Sequence, residues 1–362
     1  MKMGELEPMA PIEHPRIHAD GLYFGLDEDE YHGALALSAS GVKEMRVSAA
    51  DFWASCQALN PELSDPNEAD KPHFIDGKAY HKRLLEGREA FYATYARGLD
   101  PADHPDALRT VEEICARLDE LGVAYKRSTR KASLIEQLLE HDIDAPVWDA
   151  MLADHVEAHE GREMLPPKLV DRIELAAAMI ERHPELGPAF QGGYPEVSCF
   201  WRDPFTRVPM KCRFDRLKVR AIVDYKTAAN PYRRPLDRAV AFAIATNKLH
   251  IQAAMYLEGA AMARRLIREG KVHGAVDPAF LDAFVAEQER TFLFVFQFKG
   301  RANVARGYVM GSSLTLDLGR SEIESAKAAF RENWDLYGAD LWVDRASIRM
   351  LDSTEFPQSI AD

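Results

Sequence analysis

The sequence predicts an α/β fold, with a β-rich core crossed by helices and a helical part ahead of it. Three observations carry this expectation. Apolar residues recur at helical spacing in several segments before residue 183. Short alternating or continuous apolar runs then crowd residues 196–228 and 290–313. Helical segments separate and follow those runs, so the order is helix, strands, helix, strands, helix. The chain of 362 residues is long enough for one large domain or two modest ones.

Residues 1–20, polar and proline-rich, read as a flexible arm. Residues 21–108 form the helical N-terminal part. There, Ser38 or Ser40 can cap a helix running through Val42, Met45 and Phe52. Three prolines make "NPELSDPNEADKP" (60–72) a loop. A helix from about Ile75 to Glu86 follows, with Ala79, Leu84 and Leu85 near helical spacing.

Residues 109–141 stand apart. One amphipathic helix carries Val111, Ile114, Leu118 and Leu121 and stops at Gly122. After the extended piece "VAYKRST", a second helix starts near Ser128 or Thr129 and carries Leu134, Ile135, Leu138 and Leu139. This helix–extension–helix pattern resembles the SAP and HeH families of small DNA-binding modules. The resemblance implies that Lys126, Arg127, Arg130 and Lys131, clustered at the turn, meet DNA phosphates. By residue type alone, the same cluster reads equally as a solvated basic tip.

The core is expected over residues 142–345, with a tail at 346–362. It opens with a helix at 166–183. Strands are expected at 196–203, 208–219 and 221–228, a helical region at 235–269, and strands at 290–300 and 305–313. A last helix, about 317–336, holds Ile323, Ala326, Phe330 and Trp334. Trp201, Trp334 and Trp342 are expected to pack in the core or at an interface.

Composition narrows the function classes. Apolar content of 47% and charged content of 28% are those of an ordinary globular protein. The run "FLFVFQF" is far too short to span a bilayer, and the N-terminus has no signal-type apolar stretch, so a cytoplasmic protein without a membrane partner is expected. A net charge of −13 argues against a protein that coats nucleic acid, but permits an enzyme with a positive groove and an acidic metal site. The four cysteines, at 56, 115, 199 and 212, lack CxxC spacing. Neither a disulfide framework, a zinc ribbon nor an iron–sulfur cluster is expected. No GxxxxGK[ST] loop is present, so no use of ATP is expected, and no GxSxG elbow occurs.

The stretch "CRFDRLKVRAIVDYKTA" (212–228) concentrates the chemistry. Its run Ala221, Ile222, Val223 reads as a buried strand, which Asp224 interrupts. Residues two apart on a strand share a face, so Asp224 and Lys226 point one way and Tyr225 the other. If the two segments pair as an antiparallel hairpin, Asp215 lies near Asp224. Two buried carboxylates side by side are unfavourable unless a cation compensates them, and one lysine compensates one charge. A hard divalent cation such as Mg²⁺ suits the remainder. The alternative is a structural salt bridge on a hairpin. Arg213, Arg216, Lys218 and Arg220 alternate with apolar residues and read as a solvated face.

Asp215, followed by Asp224-Tyr225-Lys226 on the next strand, resembles the D…(D/E)xK signature of the PD-(D/E)XK nuclease superfamily. "GKAYHKRLLEG" (77–87) resembles the helix that presents a histidine ligand in RecB-like nucleases, here His81. "YPEVSCFW" resembles their upstream acidic segment, here Glu196, and "HIQAAMYLEG" (250–259) their QxxxY motif, here Gln252 and Tyr256. The elements occur in the family's order. Over roughly residues 20–340 the chain is most similar to the phage-type exodeoxyribonuclease VIII group, including its opening "LSASGVKEM".

The resemblance implies a restriction-endonuclease-like core, a mixed central sheet flanked by helices. It implies a metal site of His81, Glu196, Asp215, Asp224 and the Tyr225 carbonyl, holding Mg²⁺ or Mn²⁺. Asp215, Asp224 and Lys226 would be catalytic, with Gln252 and Tyr256 in support, and Arg233 and Arg234 would contact DNA backbone. The implied activity is exonucleolytic digestion of linear duplex from 5′ to 3′, leaving 3′ overhangs for a single-strand annealing recombinase, by a homo-oligomer. Alternatives are a single-strand or repair nuclease of RecB or Cas4 type, and a non-catalytic DNA-binding scaffold.

Overall fold

The computed structural model describes residues 17–61, 72–348 and 350. Most of the expected arm, the 60–72 loop and the tail lies outside these residues.

The N-terminal part comprises β1 (Gly21–Tyr23), α1 (Glu28–Gly33), α2 (Ala39–Val47), α3 (Ala49–Ser55), α4 (Pro72–Leu85), α5 (Arg88–Thr94) and β2 (Tyr95–Arg97). Next come α6 (Val111–Glu120), α7 (Lys131–His141), α8 (Trp148–Ala158), β3 (Glu163–Leu165), α9 (Pro167–Glu181) and α10 (Leu186–Ala189). The strand-rich part contains β4 (Tyr194–Arg202), β5 (Pro209–Leu217), β6 (Ala221–Ala228), α11 (Leu236–Thr246), α12 (Leu249–Arg268), β7 (Val272–His273), α13 (Pro278–Ala286), β8 (Thr291–Phe298), β9 (Ala305–Val309) and α14 (Ser313–Tyr337).

Seven strands form one mixed sheet in the order β7-β1-β4-β5-β6-β8-β9, and β2 pairs with β3 separately. Strands β4, β5 and β6 are an antiparallel meander, while β6 and β8 run parallel across the α11–α12 connection. Both faces of the sheet are covered. On β8, Phe292, Phe294 and Phe296 enter a core shared with Phe52, Ile251, Met255, Ile323 and Phe330. Val295 faces the other way, into a core with Tyr80, Leu84, Ile173 and Ile180 of α4 and α9. Burial on both faces explains why β8 reads as a continuous apolar run. Trp201 and Trp342 are buried in the larger core and Trp334 packs against it, as expected.

Three expected elements differ in detail. The helix through residues 38–52 breaks at Ser48, whose hydroxyl accepts the Asp51 N–H and starts α3, while Ser38 caps α2 through the Gly41 N–H. The 235–269 region splits at Asn247–Lys248, where Lys248 adopts a left-handed φ of 50°. Between α6 and α7 the chain is irregular rather than extended. This pair has an apolar core of its own, made by Ile114, Leu118, Leu134, Leu138, Ala145 and Val147. Thr110 and Glu113 close a capping box at the start of α6. Truncating the fully buried Leu138 to Ala would cost about 3 kcal/mol.

A buried ionic knot ties the frame together. Lys327 of α14 donates to Asp203 (3.0 Å), Glu258 of α12 (2.8 Å) and Glu324 (2.8 Å). No helix among the described residues is long and apolar enough to cross a membrane.

Candidate active site

The site forms where backbone pairing lapses on both sides of β5. Between β4 and β5 the register pairs Pro195 with Arg216 and Val197 with Phe214, so Glu196 and Asp215 face each other without a ladder bond between them. Glu196 has φ of 51°, the left-handed region, which costs a non-glycine residue about 1–3 kcal/mol. Between β5 and β6 the pairing runs Leu217 to Ile222 and Arg216 to Val223, then stops. Asp215 takes over there: its Oδ2 accepts the Tyr225 N–H at 2.8 Å. A side chain thereby occupies the donor that a strand carbonyl would have used.

His81 of α4 reaches the same place. Its Nδ1 lies 3.8 Å from Asp215 Oδ2, and its ring meets Tyr225 edge-on at 5.0 Å. One ligand atom each from His81, Glu196 and Asp215 lie within 4.8 Å of one another. Among the described residues this is the one group of three or more histidine, cysteine or acidic side chains so arranged.

Asp224, wholly buried on β6, completes the site without joining that trio. Its Oδ1 accepts from Gln252 Nε2 of α12 at 2.7 Å. Its Oδ2 lies 2.6 Å from Lys226 Nζ but receives no hydrogen bond of good geometry. Tyr225 points away as expected: its hydroxyl donates to Gln297 at 2.6 Å in the opposite core. Tyr256, one turn beyond Gln252, packs edge-on against Phe214 at 5.6 Å and Phe292 at 6.1 Å.

The electrostatics are those of a charge cluster short of a cation. Burial and the neighbouring Asp215 push both Glu196 and Asp224 up to about 7. Burial also raises Asp215, against the pull of Lys226. Burial and then Lys226 push His81 down to about 4, so its imidazole is neutral with a free lone pair near pH 7. Burial disfavours charge on Lys226, but Asp224 and Asp215 outweigh it and raise its pKa. The residues fit a divalent cation on two grounds. They supply oxygen donors and one neutral imidazole, and the buried acids repel one another.

No family model and no curated protein matches the chain. One solved structure, described as a "putative exonuclease" from Eubacterium rectale, is similar over 70% of this chain and 94% of its own, at 12% identity and a TM-score of 0.32. That likeness is too slight to carry an argument.

The structure thus gathers His81, Glu196, Asp215, Asp224, Lys226 and Gln252. The expected DNA-contact residues lie on two other features. Lys126, Arg127 and Arg130 are exposed at the α6–α7 turn, whereas Lys131 pairs with Asp149 of α8 at 2.7 Å. On the β6–α11 loop, Arg233 is exposed with φ of 50°, and Arg234 lies over the rings of Tyr232 and of Phe242 in α11.

One expectation is corrected. Of the four basic residues on β5 and the β5–β6 turn, only Arg220 is exposed, and its Nε donates to Glu287 at 3.1 Å. Arg213 Nε donates to Glu196 Oε2 at 2.8 Å and so belongs to the site. Arg216 is buried, donating to the carbonyls of Leu85 and Gly192, and Lys218 donates to those of Pro188 and Gln191. Strand alternation fixes a face but not what covers it, and here α4 and the α10 segment arrive from elsewhere in the chain. Lys43 of α2 was also missed. It is half-buried, and its pKa is lowered by burial and by the charge on Lys226. Nothing local in "SGVKEM" signals this, because the approach depends on where α2 docks.

Proposed function

We propose that the chain is a Mg²⁺-dependent DNA exonuclease that digests linear duplex from a 5′ end and leaves 3′ overhangs for a recombinase. The observation that carries the reading is the convergence of His81, Glu196 and Asp215 beside the Asp224–Lys226 pair. His81, Glu196 and Asp215 would hold the metal, joined by Asp224 and the Tyr225 carbonyl. A bound Mg²⁺ would supply Lewis acidity at phosphorus and favour ionisation of the attacking water.

The chain's own groups divide the remaining work. The Tyr225 N–H fixes the Asp215 carboxylate, and Arg213 fixes that of Glu196. Gln252 anchors Asp224 through Oδ1, leaving Oδ2 to Lys226. Lys226, held as an ammonium, would orient the attacking water and steady negative charge on the phosphorane. His81, held neutral, keeps its lone pair for a ligand's role. Exposed Lys126, Arg127, Arg130 and Arg233 would meet DNA phosphates away from the reacting centre.

The test is nucleotide release from linear duplex labelled at the 5′ or the 3′ end, with and without EDTA. Early release of the 5′ label, abolished by EDTA and restored by Mg²⁺, is expected. Release that persists in EDTA, or none under any metal, overturns the reading. Early loss of the 3′ label alone overturns the polarity.

A further inference from the structure

The loop between β6 and α11, residues 229–235, leaves the strand that carries Asp224 and Lys226. Tyr232 follows Lys226 by six residues, so an extended chain holds it within roughly 20 Å of that lysine. Two large rings stand exposed there: Tyr232 at 75% and Phe242 of α11 at 54%. The Arg234 guanidinium lies over both, 4.8 Å from the Tyr232 centroid and 4.5 Å from that of Phe242.

The arrangement is held in place from beneath. Asn230 accepts the Arg234 N–H at Oδ1 (3.0 Å) and donates from Nδ2 to the Arg234 carbonyl (2.7 Å). The Arg233 N–H donates to the Asn230 carbonyl, and prolines at 231 and 235 restrict the flanking backbone. Exposed aromatic rings on a braced loop exist at a cost in solvation that a partner would remove.

Charge decides the partner's class. Arg233 and Arg238 are exposed beside the rings, while the nearby Asp237 is already paired with Arg306 and with the Tyr308 hydroxyl. Flat apolar rings beside cations that pair with no acid among the described residues suit a polyanion that carries flat π-systems. Except at a duplex terminus, a paired base offers its face only to its neighbours in the stack, whereas an unpaired base can lie on an aromatic side chain.

We propose that Tyr232 and Phe242, braced by Arg234, form a stacking platform for unpaired nucleobases of the strand that passes the active site. This rests on the nuclease reading for its substrate and gives that site a preference for DNA with a single-stranded end.

Equilibrium binding of the full-length chain in EDTA tests it, using a duplex with a single-stranded tail and the same duplex with an abasic tail. The wild type should bind the base-bearing tail about tenfold more tightly. Tyr232→Ala and Phe242→Ala should bind both tails alike, at the weaker level. Tyr232→Phe should keep the preference and Tyr232→Leu should lose it, which separates stacking from greasy contact or a folding defect. Equal binding of both tails by the wild type overturns the platform. So does a preference that survives both alanine variants, or a change confined to self-association, which would assign the rings to a protein interface. Binding is read without metal, so the two readings fail separately. A tail preference without Mg²⁺-dependent release retains the platform and removes the nuclease; release without a preference does the reverse.

Discussion

At Lys327 three carboxylates close directly on one buried ammonium, whereas at Lys226 only one of three nearby carboxylates touches it. The outcomes are opposite, although the Lys226 cluster also holds the Arg213 guanidinium, paired with Glu196. Asp203 is buried, which alone would raise its pKa, but the Thr206 N–H and Lys327 overcome this and lower it. Lys327 is likewise raised, by Glu258 and Glu324 against burial. Around Lys226, Glu196 and Asp224 are pushed up to about 7 instead. Burial of charge therefore does not mark a site; charge left uncompensated after burial does. The Lys327 knot holds α14 and α12 together, whereas in the Lys226 cluster only Asp224 meets the ammonium.

The largest effect that would test this contrast is on catalysis. Lys226→Ala should lower Mg²⁺-dependent nucleotide release by at least about a hundredfold in protein that circular dichroism shows to be folded. A wild-type rate would remove Lys226 from the mechanism. Lys327→Met should do the opposite, destabilising the protein by about 3–5 kcal/mol in urea titration because three carboxylates lose their common partner. A loss below about 1 kcal/mol would show that the knot is not structural.

The pH dependence of that knot has a definite sign. Asp203 is lowered, so its share is present above its usual value of 3.8 and is lost as pH falls through the depressed one. Lys327 is raised, so its share is present below 10.5 and is lost as pH rises through the elevated value. The wild type minus Lys327→Met stability difference should thus be flat from about pH 5 to 9 and shrink in strong acid or alkali.

Smaller effects concern the incomplete cluster. Mg²⁺ at a hundred times its dissociation constant should stabilise the wild type by about 2.7 kcal/mol, seen as a raised unfolding midpoint. Asp215→Ala should abolish that shift, and Lys327→Met should retain it. Gln252→Ala, which frees Asp224 Oδ1, should slow release about tenfold while leaving the Mg²⁺ midpoint shift nearly intact. A lost shift would place Gln252 in metal binding rather than in holding Asp224.

Much of this site can be read along the chain because strand geometry is regular. A period of two puts Asp224 and Lys226 together and Tyr225 behind them, and the antiparallel hairpin brings Asp215 opposite Asp224. Helical spacing places His81 on a helix and Gln252 one turn before Tyr256. What stayed hidden depends on docking. Arg216 meets the Leu85 carbonyl across 131 positions of sequence, and Lys327 meets Asp203 across 124. No local pattern announces either contact. The break at Ser48 had a visible cause, a capping serine followed three residues later by an aspartate, but the apolar spacing ran through it. The short strands β1 and β7, three and two residues long, the second at the sheet edge, form only against a sheet that already exists.

The Tyr225 amide has a consequence of its own. It donates to the Asp215 side chain at the point where β5 and β6 stop pairing, so its protection from deuterium exchange depends on one carboxylate. Removing that carboxylate should speed exchange at this single amide while Val223, still in the ladder, keeps its slow rate. The backbone thus carries a spectroscopic gauge beside the candidate metal site, readable in the protein alone.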